Sequence, residues 1–366
     1  MNRKQSIFKN RSVISVMASL LSIAAGLLFG LILLYVFNPV HAMNGFKSMM
    51  TTGIKAADKF AKVLYTAAPL MMTGLSVGFA FKTGLFNIGA SGQYMVGAFL
   101  CLAGAIQFQL PWYLALVLAI IGGAIWGAIP GIFKAYFNVN EVITSIMFNW
   151  IGLFTMNLAI NNMPMMLASS WGAINKDRTA ALASANISAI LPKLGLDELL
   201  GSNYANIAIF IAILFAIFMW VILSKTTFGY ELKACGLNRN ASVYAGINAK
   251  RNIVFSMAIA GALAGLGGGL YFLSGTAQYT LVKVLLPMGF NGIPVALLAS
   301  SNPIGTIFSA LFISYIQVGG DAMQPEFNKE IIDIIISAII YLSAFALLTR
   351  ELISKALKSN NIRGDE

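Results

Sequence analysis

The sequence predicts an all-α polytopic membrane protein, one domain over residues 1–366 with about ten transmembrane helices and glycine-broken half-helices, and three observations carry that expectation. Hydrophobic residues make up 58% of the chain and charged residues only 10%, where soluble domains hold roughly 45–50% and about 25%. The mean hydropathy is +0.79. The apolar runs are about 20 residues long rather than alternating ten-residue strands, so the spans are helices whose backbone groups bond internally.

The elements follow in order. MNRKQSIFKNR opens the chain with positive charge, and the apolar run from Val13 to Phe37 is too long for a cleaved signal peptide, so it reads as a retained first span behind a cytoplasmic N-terminus at 1–12. In 43–62, Lys47, Thr51, Lys55, Asp58, Lys59 and Lys62 share one helical stripe and Phe46, Met49, Ile54, Ala57 and Phe60 another. That pattern fits an interfacial amphipathic helix, or one packed on its neighbours. Further spans are expected at 64–81, 88–107, 112–133, 142–161, 205–223, 252–274, 284–299, 303–320 and 331–349.

Between the spans, 162–204 is an outer loop whose Lys176, Asp177, Arg178, Lys193, Asp197 and Glu198 balance to zero, fitting a cap that faces a soluble partner. The segment 224–251 is polar and basic, long enough for two short helices, and reads as a docking surface. Residues 350–366 form a cytoplasmic tail. With both termini cytoplasmic, the inner segments hold 15 Lys and Arg against nine outside, as the positive-inside rule requires. The net charge of +11 therefore reports topology rather than a nucleic-acid partner, because the basic residues sit at segment ends.

Little in the chain can do covalent chemistry. No GxxxxGK[ST] phosphate loop occurs, and the single histidine, His41, leaves neither a Ser/His/acid set nor a metal cluster. Cys101 lies in an apolar run and Cys235 in the basic loop, so no extracytoplasmic disulfide is expected. Ion-coupled transporters carry carboxylates within spans, whereas Glu141, Asp321, Glu326, Glu330 and Asp333 stand at span ends. Asn87, Gln93, Asn149 and Asn157 are instead embedded in apolar stretches beside Phe86, Trp150 and Phe154. Amides with aromatics suit a neutral, flat, hydrogen-bonding solute, and interhelical hydrogen bonding explains buried amides equally well.

Small residues recur every fourth position in Gly123, Gly127 and Gly131 and again in Gly261, Gly265 and Gly269, ridges that let helices approach closely in lipid. Two segments, 84–100 and 289–308, share a Gly, Asn, Gly pattern that interrupts an apolar run. Paired breaks of this kind point to half-helices around a central pathway.

Five strings in order, GLFNIGASGQ (84–93), NEVITSIMFNWI (140–151), FGYELKACGLNRNASVYAGI (228–247), AGALAGLGGGL (260–270) and GFNGIPVALLASSNPIG (289–305), resemble the permease subunits of bacterial ATP-binding-cassette importers. The likeness runs from about Thr66 to Ala346 and is narrowest to the nucleoside and simple-sugar branch, related to ribose and branched-chain amino acid permeases. It implies a non-catalytic, multi-pass subunit in the bacterial plasma membrane, with no cofactor of its own because a partner ATPase subunit binds ATP. It further implies a second homologous permease, commonly a different polypeptide, and an extracytoplasmic solute-binding lipoprotein.

The resemblance makes 224–251 the coupling loop, with Gly229, Glu231, Lys233, Gly236, Asn238, Arg239, Asn240, Tyr244, Ala245 and Gly246 facing or shaping the ATPase contact. Lys233 and Arg239 are expected to meet acidic groups, Asn238 or Asn240 to cap a helix, and Gly246 to end it. Phe86, Asn87, Gln93, Asn149, Trp150 and Asn291 are the candidate solute-pathway residues. The expected cargo is a nucleoside, purine nucleosides such as guanosine first, with ribose, another simple sugar or a branched-chain amino acid as alternatives and an ion-coupled transporter as a more distant one. The sequence departs from many relatives at Ser91, where they carry an acidic residue, which leaves the exact solute open.

Overall fold

The computed structural model of the chain describes residues 11–174 and 177–345. The expected tail 350–366 and all but the last two residues of the expected N-terminus 1–12 lie outside them. The helices are α1 Arg11–Phe37, α2 Ala42–Lys55, α3 Ala57–Lys82, α4 Ala90–Ile106, α5 Trp112–Phe137, α6 Glu141–Asn161, α7 Ala208–Lys225, α8 Thr227–Leu237, α9 Arg239–Tyr244, α10 Ala249–Phe272, α11 Pro287–Leu298, α12 Pro303–Asp321 and α13 Lys329–Ala344, with short helical turns between α6 and α7. Among the described residues, extended pairing is limited to isolated bridges at Leu167–Thr179 and Arg178–Thr280.

Among the described residues, seven helices are long and apolar enough to cross a bilayer, with bounds Met17–Phe37, Ala57–Lys82, Trp112–Phe137, Glu141–Asn161, Ala208–Lys225, Ala249–Phe272 and Pro303–Asp321. The chain is thus an all-α, multi-pass membrane protein. Two expected spans are shorter than the sequence suggested. α11 has 12 residues, about 18 Å of rise, against roughly 30 Å of hydrocarbon; the expected span 284–299 is a half-helix. α4 has 17 residues and begins only after a non-helical stretch at 83–89. In both cases an apolar run continues through backbone that is not helical, which hydropathy cannot distinguish.

Contacts define the two ends of the bundle. At one end, α3 finishes against the 224–251 segment through Gly84 and Gly236, and the C-terminus of α5 receives Arg239. α6, α10 and α12 start there, each behind an asparagine whose side chain accepts from a first-turn amide: Asn140 from Val142 N, 2.8 Å; Asn248 from Arg251 N, 3.0 Å; Asn302 from Ile304 N, 3.0 Å. Lys134 on α5 pairs with Glu141 on α6 at 2.9 Å, so that carboxylate is a span-end ion-pair partner.

At the other end, Lys62 pairs with Asp321 at 3.0 Å and Asn186 donates to the carbonyls of Ala105 and Leu110. Asn186 is thereby a buried tie between the 162–204 segment and the end of α4. α1 starts beside α11, where Ser19 donates to Leu298 O, and ends near Glu326. It therefore begins at the end that carries 224–251.

The 43–62 stretch is not one helix. α2 stops at Ala56, which is extended (φ −136°, ψ 141°), and α3 then turns into the core. The small face of α2, Gly45, Met49 and Gly53, packs on Phe327, Gly319 and Tyr315, while Ile54 and Phe60 of the expected apolar stripe are exposed. Phe46 and Met49 of the expected stripe are thus covered by the bundle, as a helix packed on its neighbours requires, and only the stripe's later members are left outside.

α3 and α10 are the most buried spans. The most extensive helix–helix contact is α5 with α10, and the two glycine ridges of the sequence meet there in antiparallel order. A Cβ on Gly261 would lie 2.2 Å from Gly123 O and 2.8 Å from Gly127 Cα. The obstacle is backbone, so no rotamer change makes room. Gly261→Val is expected to cost about 1–3 kcal/mol or more, seen as a lower melting midpoint and reduced yield in detergent; an unchanged midpoint would show that the seam is loose.

Candidate functional site

The 224–251 segment folds as two helices, as expected. Thr226 opens α8 by accepting from Gly229 N at 3.0 Å, and Gly229 lies against Ile222 O and Leu223, so α8 doubles back onto α7. Glu231 faces α10, bonded to Arg251 at 3.3 Å and to Asn252 Nδ2 at 3.1 Å. Asn238, not Asn240, caps α9, accepting from Ala241 N at 3.0 Å; Asn240 is an exposed residue inside the helix. The helix closes through Ala245 to Gly246, at φ +81°.

Two of the cations differ in their engagement. Arg239 donates to Ala135 O at 3.4 Å, and the C-terminus of α5 is where a cation is favoured. Lys233 is half-buried and forms no ion pair among the described residues. The outward surface of α8–α9 is apolar as well as polar: Tyr244 is 94% exposed and Leu237 89%, with Val243 and Tyr230 also exposed. Leu237, Val243 and Tyr230 were missed by a charge-led reading. Their signal was present, since apolar side chains in a polar loop have no span to serve.

The amides at 87, 93 and 149 come together around the non-helical 83–89 stretch. Asn87 and Gln93 exchange hydrogen bonds, 2.7 Å from Asn87 Nδ2 to Gln93 Oε1 and 2.9 Å in return, and Asn87 Nδ2 also donates to Ser76 Oγ at 2.9 Å. Asn149, on α6, accepts from Gly92 N at 2.8 Å and donates to Ile88 O at 3.1 Å. All three amides are buried. Beside them Ser145 Oγ is buried without a partner. Of these side chains Asn149 serves backbone directly, taking Ile88 O in the 83–89 stretch and Gly92 N in the first turn of α4, as irregular backbone at membrane depth requires.

The other candidates separate from this cluster. Phe86 is half-buried and stacks on Phe81 at 5.0 Å. Asn291, on α11, is half-buried and makes no hydrogen bond among the described residues. Trp150 is 41% exposed and stacks on Phe154 along the outward face of α6, with Met147, Ile151 and Leu158. That face is apolar throughout and turned away from the amides, so Trp150 does not join them. Asn157 is also spent elsewhere, accepting from Tyr279 Oη at 3.0 Å and donating to Val282 O at 2.8 Å. Burial raises the Tyr279 phenol above its ordinary value, so it stays a donor to Asn157.

The two glycine-interrupted segments do meet. Ser91, in the first turn of α4, donates to Leu286 O at 2.8 Å, and a Cβ on Gly289 would lie 2.3 Å from Ser91 Cα. From that level α4 runs to one end of the bundle and α11 to the other, about 25 Å and about 18 Å by their lengths. Ser91 is here a buried link between the two half-helices.

Comparison with known proteins agrees with this architecture. Residues 60–344 match the family described as branched-chain amino acid transport system / permease component. The chain is 36% identical to the nucleoside ABC transporter permease protein NupB of Lactococcus lactis, covering 95% of each chain, and 35% identical to the guanosine ABC transporter permease protein NupP of Bacillus subtilis, covering 94% of this chain and 97% of that one. A second B. subtilis guanosine ABC transporter permease protein, NupQ, is 27% identical over 71% of this chain and 82% of its own. No solved structure matches. The chain belongs to the branched-chain amino acid transport system permease component family, and is a non-catalytic, multi-pass permease subunit of a bacterial ABC importer.

Proposed function

We propose that this chain is the permease of an ATP-driven importer for nucleosides, purine nucleosides such as guanosine foremost, in the bacterial plasma membrane. The observation that carries the cargo is near full-length similarity to two permeases named for nucleosides and guanosine. The chain also resembles both NupP and NupQ of one organism, the first more closely. That pattern supports a heterodimeric core, in which this chain takes one place and a second homologous permease the other.

The ATPase subunit docks on α8–α9, which places 224–251 and the N-terminus of α1 in the cytoplasm. The apolar knob of Leu237, Val243 and Tyr244 enters the partner, and Lys233 and Arg239 meet acidic groups at its rim. The opposite end, with 162–204, receives solute from an extracytoplasmic binding lipoprotein. Of the pathway candidates, Phe86 and Asn291 retain partly exposed surface to offer a solute, a ring face and a free amide. Asn87, Gln93 and Asn149 shape the path by holding 83–89 in place.

Three outcomes follow. Cells lacking the gene should lose uptake of labelled guanosine and regain it with a plasmid copy, with excess adenosine but not ribose or leucine blocking the rescue; block by ribose or leucine would replace the cargo. Tyr244→Ala should weaken association with the ATPase by about 30-fold, a truncation of about 2 kcal/mol at an exposed aromatic anchor, while solute-binding protein still associates; undiminished ATPase association would place docking elsewhere. Asn149→Ala should lower the melting midpoint and uptake together, because Gly92 N and Ile88 O each lose a partner at about 1–3 kcal/mol. A variant with wild-type melting and abolished uptake would make Asn149 a solute contact instead.

A further inference from the structure

The 224–251 segment meets the 83–89 stretch backbone to backbone. A Cβ on Gly236, in the last turn of α8, would sit 2.5 Å from Thr83 C and 2.7 Å from Gly84 N; a Cβ on Gly84 would sit 2.4 Å from Gly236 Cα. Gly84 also holds φ +75°, a conformation that L side chains rarely adopt. No side chain lies between the two glycines, so no rotamer is available to absorb a displacement.

The stretch that Gly84 opens is anchored along its length. Leu85 N bonds to Ala80 O at 2.9 Å, Asn87 to Ser76 and Gln93, and Ile88 O to Asn149, while the Thr83 hydroxyl meets Ser256 on α10. A push at Gly84 therefore arrives at the amide cluster and at the start of α4. α8 is also held to α7, where Gly229 lies against Ile222 O, and to α10, where Glu231 takes Arg251 and the buried Asn252. Those contacts end on α7 and α10, whereas Gly84–Gly236 meets the 83–89 stretch directly.

We propose that the Gly84–Gly236 contact is the joint through which movement of the docked α8–α9 unit is passed to the 83–89 stretch, making Gly236 a positioning residue for the coupling of ATP hydrolysis to solute movement. The inference rests on the docking reading of 224–251. An added methyl at 236 would have to move from 2.5 Å to ordinary contact near 3.4 Å, so it opens the joint by roughly 1 Å, a misplacement that can cost on the order of a hundredfold in a positioned step.

The test uses the importer purified from its native membrane through a tag on this chain and reconstituted in liposomes. ATP hydrolysis, retention of the ATPase and uptake of labelled guanosine are read on one preparation. Gly236→Ala should lower guanosine moved per ATP at least tenfold, with hydrolysis counted per ATPase retained. An unchanged ratio, or hydrolysis and uptake falling in proportion, would overturn the joint.

Should that variant not assemble, a second measurement decides on the parent sequence with Cys101→Ala, Cys235→Ser and Ile88→Cys. Trapping the ATPase with vanadate should change maleimide labelling at position 88 by at least threefold, and an unchanged rate would overturn the proposal. A parent chain that retains no ATPase would sink the docking reading, and this joint with it.

Discussion

Everything at the centre of this protein depends on how seven residues of non-helical backbone, 83–89, are kept hydrogen-bonded inside a bundle that lipid surrounds. In hydrocarbon an unpaired amide or carbonyl costs several kcal/mol. The chain answers with side-chain amides. Asn149 takes one carbonyl and one amide of the break region, and the Asn87–Gln93 pair with Ser76 fixes the stretch to α3 and α4. Once that stretch is held, α4 can start within the bundle, Ser91 can reach Leu286, and α11 can start from the same level.

The α5–α10 seam supplies the rigid wall behind this break. Its glycines bring two backbones into direct contact, and in a medium where apolar burial between helices gains little over lipid, such close packing is a principal source of association. α10 then links both functional regions. Its first turn carries Arg251 and Asn252 for Glu231 of α8, and Ser256 meets Thr83 at the end of α3. The 224–251 segment and the polar break are thus fastened to one helix as well as to each other.

Much of this was legible in the sequence. Apolar length located the seven long spans found among the described residues, the glycine spacing marked both faces of the seam, and the basic interruption at 224–251 located two short helices with Asn238 or Asn240 as the expected cap. What hydropathy could not give was direction and continuity. It did not resolve that 284–299 holds a half-helix, that the chain breaks at Ala56, or that Trp150 faces outward while Asn149, one residue before it, faces in. Helix rotation is set by neighbours. The buried amides were found by residue type, but the backbone bonds of Asn149 appear only when Gly92 and Ile88 are seen beside it.

As a permease subunit of an ABC importer, this chain supplies a path and not the energy that drives transport. The most direct measurement reconstitutes it in proteoliposomes, alone and then as the complete importer with its ATPase, second permease and binding protein, and follows labelled guanosine with ATP or with an ion gradient. Accumulation only in the complete assembly, and only with ATP, is the expected result. Gradient-driven accumulation by this chain alone would contradict it.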